Sequence, residues 1–145
     1  MSVDAARADA AALSAWCADL LTLGRPLGRW SAMLALLALV GLFVDAAGRP
    51  WLSGSLVAAM AAQGYGLRVR VDEAVFRRWG QAWVLAGVAG PLRDMGAFDR
   101  ARGFRGAARS LEQRCAGARR LLWRQGALVL LQTACVATAA ILEAR

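Results

Sequence analysis

Arg93–Arg124, RDMGAFDRARGFRGAARSLEQRCAGARRLLWR, followed directly by Gln125–Leu142, QGALVLLQTACVATAAIL, is the stretch whose reading decides the fold. Its first part carries nine arginines against three acids, Asp94, Asp99 and Glu112, and its second part carries no charge. A dense basic segment beside an uncharged run of membrane length orients a helix in a bilayer, because cytoplasmic flanks carry the excess of Arg and Lys. Ser110 and Gln113 have the spacing of a capping box, which starts a helix at Leu111. Continued to Glu143, that helix is about 48 Å long, so its first turns must protrude from a hydrocarbon core of about 30 Å. Gly96, Gly103 and Gly106 predict an irregular backbone in the first half of the arginine segment.

The remainder of the chain falls in the same class. Its 145 residues fit one domain, and 59% are hydrophobic. That apolar content is concentrated in a few uncharged runs, as in membrane proteins. Six tryptophans agree, since Trp favours the bilayer–water boundary. All eighteen basic residues are arginine, and lysine, histidine and asparagine are absent, a composition that reads as the mark of a GC-rich bacterial genome. The net charge of +8 favours anionic partners.

Working outward, residues 1–24 read as an amphipathic helix with Leu13, Trp16, Cys17, Leu20 and Leu21 on one face. Gly24 and Pro26 read as its stop. Residues 29–48 form the first span, Gly48–Pro50 a turn, and residues 50–67 a second span. In that second span Gly54, Ala58 and Ala62 lie four apart, a spacing that suits close helix packing in lipid. Residues 68–124 form an arginine-rich cytoplasmic region containing an amphipathic helix over 71–88, and 125–142 form the last span. The expected fold is therefore all-α: one membrane domain over 1–145 with about three transmembrane helices and amphipathic surface helices. A two-span arrangement follows if 50–67 does not cross, but the short Gly48–Pro50 turn favours a helical hairpin. Fourteen arginines between Arg49 and Arg124 outnumber the three before the first span and Arg145 after the last. Residues 68–124 are thus expected in the cytoplasm, with the C-terminus opposite, in a multi-pass protein of the bacterial inner membrane.

Signatures of catalysis are missing. Without histidine or lysine there is no Ser-His-Asp set, Schiff-base lysine or P-loop lysine. Cys17, Cys115 and Cys135 are far apart and form no CxxC, so neither a zinc site nor a disulfide framework is indicated. The glycines at Gly64–Gly66 do not follow a strand, and Asp72 with Glu73 reads as a solvated helix start rather than an acid–base pair. No cofactor and no metal is expected, and the chain reads as a non-enzyme.

Two constellations remain. Arg100, Arg102, Arg105, Arg109, Arg114, Arg119, Arg120 and Arg124 are expected to contact anionic lipid headgroups or an acidic protein partner. Nucleic acid is disfavoured because no recognised binding fold accompanies them. Gln132 and Cys135 are expected at an intramembrane helix contact, on one face with Gln125, Leu128, Ala139 and Leu142. The function expected is that of a non-enzymatic accessory or assembly subunit of a larger membrane complex. The rival is a small oligomeric transporter or channel component.

Overall fold

The computed structural model describes residues 3–44, 47–85, 89–101, 103 and 109–144. Five α-helices account for nearly all of them: α1 (Val3–Thr22), α2 (Gly24–Val44), α3 (Arg49–Leu85), α4 (Ala89–Ala101) and α5 (Leu111–Glu143). No strand occurs among the described residues, so the all-α expectation holds. Two helical stretches, Asp4–Val44 and Leu111–Glu143, are long and apolar enough to cross a membrane.

Helix starts follow local chemistry. At α5, Ser110 Oγ accepts from the Gln113 amide at 3.2 Å, and Gln113 Oε1 accepts from the Ser110 amide at 3.3 Å. This is the reciprocal capping box, and it satisfies donors that a helix start otherwise leaves open. At α3, Pro50 occupies the first turn, where its missing N–H removes no helical bond.

Three boundaries differ from the sequence expectation. α2 starts at Gly24, ahead of residue 29, and only Leu23 separates it from α1. Pro26 lies within the first turn of α2, so it opens a helix rather than closing one. α3 runs unbroken over 37 residues, where a span at 50–67 and a separate helix at 71–88 were expected. Its inward face explains why: Leu52, Ser55, Ala59, Ala62, Gly66, Val69, Glu73, Phe76, Trp79 and Trp83 all follow three- and four-residue steps on one buried stripe. Beyond Arg68 the outward positions turn charged, and the buried stripe takes in Glu73 but keeps its helical spacing. Finally, Gly96 lies inside helix α4 rather than in an irregular segment. Gly103 adopts φ 74°, a left-handed conformation open to glycine, and donates its amide to the Arg100 carbonyl at 3.0 Å. Gly106 lies outside the described residues.

The chain divides into two compact units. One is a three-helix unit of Leu23–Arg70 and Arg120–Arg145, holding α2, the first part of α3 and most of α5. The other is a four-segment unit of Met1–Thr22 and Val71–Arg119, holding α1, the end of α3, α4 and the start of α5.

Candidate functional site: a polar seam, an arginine end and an aromatic cluster

The three-helix unit is organised by a seam between α2 and α5. Gln125 Nε2 donates to the Gly24 carbonyl at 3.0 Å. Seven residues further on, Gln132 Nε2 donates to the Ser31 carbonyl at 2.9 Å and Ser31 Oγ donates to Gln132 Oε1 at 2.8 Å. Another seven residues on, Ala38 and Ala139 share an apolar cluster with Leu52. The pairs are 101 residues apart at each level, so α2 and α5 run parallel with a heptad repeat. α3 lies antiparallel to α2, because Gln63 Nε2 donates to the Gly28 carbonyl at 2.9 Å while Leu52 packs at Gly41.

Two glycines allow this approach. A Cβ at Gly24 would sit 2.7 Å from Val69 Cγ1, and one at Gly66 would sit 2.9 Å from Gln125 Nε2. Gln132 and Gln125 are fully buried, Cys135 is buried, and Gly54 faces it with a Cβ position 3.9 Å from its Sγ. Of the face expected from sequence, Gln125, Gln132, Cys135 and Ala139 are buried, while Leu128 is half-buried and Leu142 exposed. Gly54 is exposed, and the small residues at the contact are Ser55, Ala58, Ala59 and Ala62. Ser55 Oγ and Gln125 Oε1 are buried without a hydrogen-bond partner.

The seam sets the level of six arginines. Arg25 and Arg29 on α2, Arg68 and Arg70 on α3, and Arg120 and Arg124 on α5 are exposed within a turn or so of the Gly24–Gln125 level. Trp30 and Trp123 are exposed at the same end and Tyr65 is half-buried there, whereas Trp51 and Phe43 lie toward the other end. A groove of about 240 Å³ is lined by Ala61, Gly64, Tyr65 and Arg68, along one outward face of α3.

In the four-segment unit the core is aromatic. Trp79 meets Phe76 edge-to-face at 5.5 Å and Phe98 at 5.8 Å. The Arg114 guanidinium lies 5.5 Å over the Trp79 ring and binds both carboxylate oxygens of Asp99. Arg7 donates to the carbonyls of Trp83 and Val84, at 2.6 Å each, at the C-terminal end of α3. Arg78 pairs with Asp94 at 3.2 Å beside a groove of about 310 Å³ whose lining includes Val75, Trp79, Ala97 and Phe98. Asp72 and Glu73 are buried rather than solvated, and Glu73 holds Arg77 at 2.9 Å.

Cys17 and Cys115 are buried and hydrogen-bonded to each other. The bond to Cys115, reinforced by burial, pushes the Cys17 thiol well up. The same bond favours the ionised form of Cys115 and lowers its pKa.

Of the arginines singled out from sequence, Arg100, Arg109, Arg119, Arg120 and Arg124 are exposed. Arg114 is turned inward onto Asp99 and Trp79, so it is a packing residue rather than a surface contact. Arg102 and Arg105 lie outside the described residues. Sequence reasoning did not find the roles of Gly24, Gly28, Ser31, Gln63 and Gly66; the available signal was the four–three spacing of Gly24, Gly28 and Ser31 against Gln125 and Gln132. Among the described residues no cluster of three or more His, Cys, Asp or Glu could hold a metal ion. No protein-family model, curated protein or solved structure matches this chain.

Proposed function

We propose that this chain is a small helical protein of the bacterial inner membrane, acting without catalysis as an accessory or assembly subunit of a larger membrane complex. In this reading the three-helix unit crosses the bilayer, residues 68–124 lie in the cytoplasm and the C-terminus lies opposite. The observation that carries it is the inverted polarity of the three-helix unit. Ser31, Ser55, Gln125 and Gln132 are buried, while Leu36, Leu37, Phe43, Val57, Met60 and Leu130 face outward. A helix in the core of a soluble protein would bury most of its apolar window, but here 22% and 28% of the two most apolar windows are buried. Burying such a side chain is worth about 1.5–3 kcal/mol, so an outward row of them favours lipid over water.

The second of the three spans rests on α3. Its average composition is only mildly apolar because Ser55 and the Gln63 amide are used against the other helices. Its outward residues Trp51, Val57, Met60 and Leu67 are apolar. The 21 residues of α2 rise about 31 Å with Arg25 and Arg29 near one end, and the uncharged Pro50–Leu67 of α3 rises about 27 Å, both close to a core of about 30 Å. The six arginines at one end, with Trp30 and Trp123 beside them, support cytoplasmic placement of that end.

The assembly role draws on the exposed arginines Arg100, Arg109, Arg119, Arg120 and Arg124, which suit an acidic partner. The channel reading has less support: Gln125 and Gln132 close helix contacts, and the spans carry no charged residue near the bilayer centre. Purification in a mild detergent tests the choice. Stoichiometric recovery of a second membrane protein, lost when Arg119, Arg120 and Arg124 become Gln, supports the accessory role. A homo-oligomer alone, unaffected by those substitutions, overturns it in favour of a channel.

A further inference from the structure

The groove on the outward face of α3 has a composition that defines its occupant. Ala61, Gly64, Tyr65 and Arg68 follow helical steps of three, one and three residues, so they form one continuous strip. A Cβ at Gly64 would meet no atom within 4 Å, so the strip is open where a chain could lie. At its upper end stands Arg68, exposed and making no hydrogen bond or ion pair among the described residues. The neighbouring Arg70, Arg29 and Arg124 are likewise exposed. In sequence, the three-helix unit contains two acids, Asp45 and Glu143, and Glu143 ends α5 at the opposite end of that helix from Arg120 and Arg124.

We propose that this groove is a binding site for one anionic phospholipid, with the phosphate on Arg68 and an acyl chain along Ala61 and Gly64. The inference rests on the spanning reading above and names a ligand for its cytoplasmic end. An occupant must join an anion at the level of Arg68 to an apolar body at the level of Ala61, within the hydrocarbon region. A phospholipid has that design, with Tyr65 at the interfacial level that aromatic side chains favour. A second copy of this chain packed on the same strip would set Arg68 against Arg68, so charge disfavours it. An acidic soluble protein would match Arg68 but not the strip beneath it.

The test uses the full chain in neutral detergent, titrated with phosphatidylglycerol or with phosphatidylcholine of the same acyl chains, and read by native mass spectrometry. Phosphatidylglycerol should be retained over phosphatidylcholine. Arg68→Gln should cut that preference about fivefold, the effect of one charge near a surface. Arg68→Lys should keep most of it. Gly64→Leu, which fills the groove without changing charge, should weaken retention of phosphatidylglycerol, whereas Arg49→Gln at the opposite end should not. Equal retention of the two lipids, or unchanged preference in both Arg68→Gln and Gly64→Leu, overturns the site. Competition by glycerol 3-phosphate at matched concentration overturns the lipid assignment in favour of a free-anion site. A protein that resists alkaline carbonate yet shows no lipid preference sinks this proposal alone; one that is extracted sinks the spanning reading itself.

Discussion

Ser31 and Gln132 satisfy each other: the hydroxyl donates to the amide oxygen at 2.8 Å, and the amide nitrogen donates to the Ser31 carbonyl at 2.9 Å. Both residues are fully buried, at the centre of a seam that continues at Gly24–Gln125 and Ala38–Ala139. In lipid, where no water competes, such a pair sets the register of two parallel helices.

The first prediction follows from that pair. Gln132→Leu leaves Ser31 Oγ unpartnered and should destabilise the protein in detergent by about 0.6–1.7 kcal/mol. Ser31→Ala in the same background should cost little more, because the partner is already gone. A double-mutant cycle on thermal unfolding checks this; strictly additive losses contradict the coupling.

Glycines separate contact from open surface. Gly66→Ala places a Cβ against the Gln125 amide, which must shift and give up the Gly24 carbonyl, a loss of about 1–3 kcal/mol. Gly117→Ala meets nothing within 4 Å and should stabilise α5 by about 0.5–1 kcal/mol. Melting curves of the two variants should move in opposite directions.

In the four-segment unit, Arg114 and Asp99 are largely buried and held over Trp79. Asp99→Ala strands the guanidinium and should cost about 3–5 kcal/mol, whereas substituting an exposed arginine such as Arg119 should change stability by less than about 0.5 kcal/mol. Limited proteolysis of this unit would register the difference.

The cysteine pair predicts an order of reaction. The thiolate is the nucleophile, Cys115 has the lowered pKa and Cys17 the raised one, so a maleimide should modify Cys115 first at neutral pH. In Cys17→Ser, the hydroxyl is a comparable donor and Cys115 should stay reactive; in Cys17→Ala the reaction should slow. Peptide mapping after timed alkylation reads both.

How much of this was legible varies with the kind of signal. The α5 start was readable because Ser110 and Gln113 act over one turn, within a window that sequence displays directly. The buried face through Gln125, Gln132 and Cys135 was readable as a helical repeat, although Leu142 turned out exposed. The continuity of α3 was hidden because the outward residues change from apolar to charged at Arg68, while the inward stripe from Leu52 to Trp83 keeps its three–four spacing and stays apolar there except for Glu73. The start of α2 was hidden for a similar reason. Gly24 and Gly28 look like helix breakers, and their use is the close approach of Val69, Gln125 and Gln63, which are distant in sequence. Arg114 looked like its neighbours; only Asp99 and Trp79 distinguish it.

The central claim is that the chain crosses the membrane three times with its arginine end in the cytoplasm. A fluorescent protein that folds only in the cytoplasm, fused ahead of Met1, tests it most directly when its signal is followed through alkaline carbonate extraction. Three spans with residues 68–124 inside place the N-terminus inside as well, so fluorescence should appear in the carbonate-resistant membrane fraction. Normal expression without fluorescence would mean that α3 does not cross, and fluorescence released to the soluble fraction would mean that the chain does not span a membrane at all.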